Sequence, residues 1–218
     1  MKALVVPLFT VALIFGGAAA PAAPTSVRTM PSLDGVVSAT RTVELRVAMR
    51  KLWEDHITYT RNYIISALAG LPDADAVATR LLANQDEIGD AIKPFYGEAA
   101  GETLATLLRD HILIATEVIA AAKSGDATQY DAAQAEWSAN GRAIAAFLSA
   151  ANPHWSQSEL EAMLQMHLDL TTGEVVARLN ADWEGDIRAY DEGHVHMLMF
   201  ADMLTTGIAR QFPSKVGK

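Results

Sequence analysis

The sequence of 218 residues contains no cysteine. This absence excludes disulfide bonds, cysteine-based zinc sites, iron–sulfur clusters, covalent haem attachment and thiol catalysis. Charged residues make up only 20% of the chain, and the net charge of −9 argues against a surface that neutralises a phosphate backbone. We therefore expect no nucleic-acid partner, and the six histidines remain as the main candidates for metal or acid–base chemistry.

Several catalytic motifs are missing as well. The chain has no Gly-rich phosphate loop after a strand, no His-Glu-x-x-His and no Gly-x-Ser-x-Gly. Half of the residues are hydrophobic, which is enough to bury one sizeable core or two small ones. The sequence therefore predicts a folded protein whose chemistry depends on side chains that the fold brings together.

The first 22 residues have the pattern of a secretory signal peptide. Lys2 is followed by an uncharged apolar stretch over residues 3–15 and then by small residues up to Ala22. The stretch is shorter than the ~20 residues that a bilayer-spanning helix needs. We expect cleavage after Ala22, export to the periplasm or the medium, and no membrane span in the mature protein.

Composition divides the rest of the chain into three parts. Residues 23–40 are rich in Pro, Ser, Thr and Gly and predict a flexible leader, residues 41–213 form the domain, and residues 214–218 form a C-terminal tail. Within the domain, prolines separate stretches with helical periodicity, and no alternating strand pattern competes with them. The sequence predicts an all-α fold, a single up-and-down bundle of about six helices. The predicted helices span residues 42–69, 74–92, 98–123, 127–150, 156–179 and 182–211.

Four histidines lie on the apolar faces of four predicted helices. Residues three or four apart share a helix face, and each of these histidines falls within such an apolar stripe near the middle of its helix. Antiparallel helices of similar length place their midpoints at one level, so the four imidazoles could meet, as in bundles that hold metals. A metal ion would satisfy one nitrogen of each ring and offset the cost of burying it. The four predicted ligands are His56, His111, His167 and His194.

Asp191 lies three residues before His194 and is a further candidate, either as a ligand or as the acceptor that orients a ring. Imidazole and carboxylate ligands suit zinc, copper, iron or nickel rather than calcium or magnesium. His154 follows a proline in a loop, where we expect solvent, and His196 points about 200° away from His194, which suits at most an outer copper or nickel site. Nearby methionines could supply thioethers for copper(I), although helically spaced methionines usually fill cores. They are Met163, Met166, Met197, Met199 and Met203.

Two other functions fit the same pattern. In the first, the histidines form a hydrogen-bonded His/Asp network inside a non-catalytic structural or interaction protein. In the second, a metal-bound water makes the protein an enzyme. We expect metal binding or sensing rather than turnover, and no protein partner is indicated by the sequence.

Several short motifs lie along the mature chain, namely Leu52-Trp53-x-x-His56-x-x-x-Thr60-Arg61, Ile92-Lys93-Pro94-Phe95-Tyr96-Gly97, Asp110-His111, Asn152-Pro153, His167-Leu168, Tyr190-Asp191-x-x-His194, Ala201-Asp202-Met203 and Gln211-Phe212-Pro213. Together they resemble a family of small exported bacterial helical proteins without an established activity. The resemblance implies a helical bundle and carries over onto His56, His111, His167 and His194, but not onto His196. Some members are labelled acetylglutamate kinase or glycosyltransferase, but such enzymes need a nucleotide-binding α/β sheet, which this chain lacks the strands to build.

Overall fold

The structure, a computed structural model, describes the backbone of residues 33–216 and the side chains of residues 41–216. The predicted signal peptide and most of the predicted leader lie outside these residues. The described residues form helices and connecting turns without a strand, so the all-α prediction is confirmed. The helices are α1 (Leu33–Ala69), α2 (Ala74–Tyr96), α3 (Glu98–Ser124), α4 (Ala127–Ala151), α5 (Gln157–Leu179), α6 (Trp183–Gln211) and α7 (Pro213–Val216).

The helix boundaries follow signals in the sequence. The side chain of Asp126 accepts a hydrogen bond from the backbone N–H of Gln129, and that of Ser156 accepts one from Glu159, so each of these residues caps the helix that follows it. Asp182 caps α6 in the same way. These caps satisfy backbone N–H groups that the first turn of a helix leaves free.

Three differences from the predicted boundaries are larger than one residue. Helix α1 begins at Leu33, within the predicted leader, because no proline interrupts the chain between Pro31 and Pro72. Helix α2 continues through Pro94, which lies in its last turn and therefore removes only one backbone hydrogen bond. Residues 214–216 of the predicted tail belong to α7, where the side chain of Val216 is buried in the main hydrophobic core.

The helices close into a ring. Each of the first six packs against the next one along the chain, and α6 packs against α1. In this up-and-down arrangement α1, α3 and α5 run in the same direction, and α3 also contacts both α1 and α5. The alternate helices α1, α3 and α5 therefore approach one another inside the ring. No helix in the described part of the chain is long and apolar enough to cross a membrane.

The main core occupies one half of the bundle. It is centred on Trp53 and Phe200, whose rings meet edge to face with centroids 5.0 Å apart. Two smaller apolar clusters, around Trp137 and Ile64, lie toward the other end of the bundle. The buried histidines lie between the main core and these two clusters, which surround them with apolar side chains.

Candidate functional site

Three of the four predicted histidines lie at one level inside the bundle. His56, His111 and His167 are 13, 13 and 12 residues before the last residues of α1, α3 and α5. Because these helices run in the same direction, their histidines differ in level by about one residue, or ~1.5 Å. All three side chains are at least 97% buried, since their exposed fractions are 2%, 3% and 2%. We refer to them as the histidine cluster.

The rings of the histidine cluster are close neighbours. Nε2 of His56 lies 3.5 Å from Nε2 of His167, and the ring of His111 stacks on that of His167 with centroids 5.9 Å apart. The three rings line a cavity of about 10 Å³, together with Thr60 and Thr171. That volume is about what a single water molecule needs, so the site has no room for a larger ligand without rearrangement.

Hydrogen bonds determine the tautomer of His111. The amide nitrogen of Asn140 donates to the carbonyl oxygen of Leu107 at 3.0 Å, which directs the amide oxygen of Asn140 to Nδ1 of His111 at 2.8 Å. An amide oxygen only accepts, so Nδ1 carries the proton. Burial lowers the pKa of His111 to about 4, so the ring is neutral near pH 7 and Nε2 keeps a free electron pair.

The space around His111 leaves that electron pair available. No hydrogen-bond partner is found for Nε2 of His111 among the residues that the structure describes, yet this nitrogen is not one of the completely buried atoms without a partner. It therefore borders accessible space, and the adjoining cavity is that space. Trp137, whose ring centroid is 5.2 Å away, packs on the other side of His111.

His56 and His167 are less well satisfied. One ring can donate to the other through Nε2, but Nδ1 of each is buried and has no partner within the described residues. Each such nitrogen costs about 1–3 kcal/mol. Burial lowers the pKa of His56 to about 3 and that of His167 well below its usual value, and the neighbouring imidazoles act in the same direction. The side chain of Gln85 opposes the lowering of the His56 pKa, but its effect is smaller. Both rings are therefore neutral at pH 7.

The hydroxyl groups of the cavity do not relieve this shortage. Thr60 donates to the carbonyl oxygen of His56 at 2.7 Å, and Thr171 donates to that of His167 at 2.9 Å. These bonds hold the threonine side chains against their own helices. The two rings are thus held by packing and by one another.

His194 and Asp191 lie elsewhere. The side chain of His194 is 29% exposed, with Nε2 3.2 Å from a carboxylate oxygen of Glu54, and its ring stacks on Tyr190. Asp191 is exposed, and neither residue lines the cavity of the histidine cluster. The sequence therefore predicts how far along α6 His194 lies, 11 residues from the start of that helix. It does not predict the side of the helix on which the His194 side chain lies.

The reason is a buried charge near the start of α6. Asp186 is buried, whereas Trp183 and Ile187, which precede His194 by 11 and 7 residues on the same apolar stripe of the sequence, are 55% and 53% exposed. The inner face of α6 runs instead through Asp186, Gly193 and Met197. Residue 194 falls at the edge of that face, 100° from Gly193.

Asp186 belongs to an ion-pair group that the sequence does not predict. Arg61 donates to Glu174 at 2.7 Å and to both carboxylate oxygens of Asp186, and Arg178 donates to Asp186 at 2.7 Å. Burial raises the pKa of Glu174 to about 7, against the opposing effect of Arg61. The available signal was the spacing: Glu174 lies seven residues after His167, on the same helix face.

The structure thus brings together three of the five residues that the sequence predicts as metal ligands. No group of three or more His, Asp or Glu side chains in the described part of the chain is already arranged to hold a metal ion. The donors of the histidine cluster fit a transition metal, because they are neutral and one has an oriented free electron pair. Metal binding therefore requires the rings to shift toward a common point.

Comparisons with known proteins do not add a family. No family model matches the chain, and neither a curated protein nor a solved structure matches it. The functional argument consequently rests on the histidine cluster itself.

Proposed function

We propose that the protein binds one transition-metal ion inside the bundle through His56, His111 and His167. The observation that carries this proposal is the 3.5 Å separation between Nε2 of His56 and Nε2 of His167. Two nitrogen ligands of a tetrahedral ion, each at ~2.1 Å, are about 3.4 Å apart. A hydrogen bond between nitrogens is usually shorter, so the pair is spaced better for sharing an ion than for sharing a proton.

His111 is the proposed third ligand. Asn140 already accepts the proton of Nδ1, which is the support that metal-binding histidines usually receive from a neighbouring oxygen. Its ring has to turn from the stacked position toward His56 and His167. The proposed set leaves out His194 and Asp191, which do not line the cavity.

The donor set limits the choice of metal. Three neutral nitrogens without a carboxylate suit zinc or copper better than calcium or magnesium, which prefer oxygen. The nearby carboxylates of Glu174 and Asp186 are already paired with arginines. A water molecule would complete the coordination, and because the cavity of about 10 Å³ holds only one water-sized body, the side chains around it have to move apart to admit the ion and the water together.

Binding is proposed rather than turnover, because a cavity of about 10 Å³ does not admit a substrate. The second candidate, a hydrogen-bonded network in a non-catalytic structural or interaction protein, is favoured by the bond between His111 and Asn140. In that case the acceptor is Asn140 rather than the expected aspartate. The two proposals differ in one measurable property, which is metal affinity.

Zinc titration of the metal-free full chain by isothermal calorimetry tests the proposal. We expect one Zn²⁺ per chain and a loss of at least about 100-fold in affinity for His167→Gln. The matched control is His154→Gln, because His154 is exposed. If the parent chain binds no zinc, or if both variants bind it like the parent, metal binding is contradicted and the hydrogen-bonded network is the better interpretation.

Folding of the variants does not limit this test. Zinc that binds only the folded parent raises its melting temperature, and the rise increases with the zinc concentration. Circular dichroism of each variant identifies any that is unfolded. An unchanged melting temperature of the parent over a wide zinc range contradicts the proposal without any variant.

We also propose that the protein is exported after cleavage behind Ala22. The support is the apolar stretch and the small residues of the N-terminus, which lie outside the described residues. Mass spectrometry of the protein from its native host should give a chain that begins at Ala23. A chain that retains Met1 in the cytoplasm would contradict export.

A further inference from the structure

A second group of soft donor atoms lies on the surface, between α5 and α6. The side chains that line an open depression there are Met166, Leu170, Asp191, Glu192, Val195, His196 and Met199. The side chains of Met166 and Met199 are 48% and 54% exposed. We call this group the methionine depression.

The exposure of these two methionines is unusual for core-filling residues. The same chain places Met49 and Met197 in the core, each with only 1% of its surface exposed. Leaving apolar methionine surface in water costs free energy that burial would recover. The sequence expectation that all these methionines fill the core is therefore not met at positions 166 and 199.

His196 contributes an oriented ring. Its Nε2 lies 2.8 Å from the carbonyl oxygen of Met163, and because that oxygen only accepts, Nε2 carries the proton. In the neutral ring the free electron pair is then on Nδ1. No partner for Nδ1 is found among the described side chains, and this nitrogen is not one of the completely buried unpartnered atoms, so solvent reaches it.

The helix geometry brings these donors together. Met199 follows His196 by three residues and shares its face of α6, while Met166 faces them from α5. The unbranched methionine side chain can swing its sulfur toward a ring nitrogen. Thioether and imidazole donors select soft cations, copper(I) in particular.

We propose that Met166, Met199 and His196 form a surface site for a soft monovalent cation of the copper(I) or silver(I) type. The negative charges of Asp191 and Glu192 attract the cation to the depression, and the sulfur atoms select against zinc and magnesium. This site shares no residue with the lining of the histidine cluster.

The test uses Ag⁺, which needs no reductant, and the full chain with ¹³C-labelled methionine methyl groups. We expect the methyl resonances of Met166 and Met199 to shift as the first equivalents of Ag⁺ are added, while that of buried Met49 stays unchanged. Unshifted resonances for both exposed methionines would overturn the proposal.

A pair of variants separates this site from the interior one. The double variant Met166→Leu/Met199→Leu changes only half-exposed side chains and should fold normally. It should bind one Ag⁺ fewer per chain than the control Met203→Leu, whereas zinc binding stays the same in both. Equal Ag⁺ stoichiometry in the two variants contradicts the methionine site, and failure of zinc binding contradicts only the histidine cluster.

Discussion

Acid is expected to destabilise the metal-free protein through the histidine cluster. In the unfolded chain a histidine has a pKa of ~6.5, whereas burial lowers the pKa of His56 to about 3 and that of His111 to about 4. Below pH 6.5 the unfolded chain therefore binds protons that the folded chain does not bind. The contribution of each buried ring to the free energy of unfolding is therefore fully present above pH 6.5 and decreases as the pH falls. Between pH 7 and pH 5 the loss is about 2 kcal/mol for each ring.

A single variant isolates one of these rings. Urea unfolding of the parent and of His111→Gln, each at pH 7 and pH 5 with a chelator, gives the free energy of unfolding of both proteins. The parent should lose about 2 kcal/mol more than the variant over this interval, because the variant lacks one titrating ring. The difference between the two proteins removes contributions that they share.

One contribution that the two proteins share stabilises the folded chain as the pH falls, opposite to the effect of the histidines. The pKa of Glu174 is raised to about 7, so its protonation favours the folded chain as the pH falls. His154→Gln is the control and should follow the parent, because His154 is exposed. If His111→Gln loses as much stability as the parent between pH 7 and pH 5, the ring of His111 is not kept neutral by burial and the reasoning is wrong.

Three substitutions elsewhere test the packing and the polar contacts. Asn140→Ala removes the acceptor of the His111 proton and should cost about 1–3 kcal/mol in urea unfolding, with zinc affinity lower by about 10–100-fold in calorimetry. Asp186→Asn leaves Arg61 and Arg178 without a full countercharge. We expect the free energy of unfolding to fall by about 3–5 kcal/mol in the same assay. Gly207→Ala places a methyl group against the indole of Trp155, and the overpacking should lower stability by about 1–3 kcal/mol.

Each substitution has an outcome that contradicts its reasoning. Parental zinc affinity in Asn140→Ala means that the amide does not orient the His111 ring. Parental stability in Asp186→Asn means that the ion-pair group contributes no net stabilisation. A Gly207→Ala variant that melts like the parent indicates that the Trp155 ring moves away at little cost.

The fold was predictable because its boundaries are local. Prolines, caps such as Ser156 and Asp126, and the apolar period determine where each helix begins and ends. Short connections then make neighbouring helices antiparallel. The extension of α1 to Leu33 was missed because composition alone does not distinguish a leader from the first turns of a helix.

The sequence predicts how far along its helix each histidine lies, but not which side of α6 is buried. Counting residues along helices of similar length places His56, His111 and His167 together, and the structure does so. The direction of His194 depends on which side of α6 is buried, and there the buried residue is Asp186. A prediction that places charged residues on the surface therefore assigns the wrong face of α6 to the interior. The arginines that pair with Asp186 lie on α1 and α5, so the sequence of α6 alone does not indicate that this carboxylate is buried.

The most direct test of the proposed function is X-ray absorption spectroscopy at the zinc edge of the zinc-loaded full chain. The account predicts one zinc ion per chain that survives gel filtration, with three imidazole nitrogens at ~2.0–2.1 Å and one oxygen. Zinc that washes off, or zinc surrounded by oxygen atoms without imidazole, would contradict a metal site in the histidine cluster.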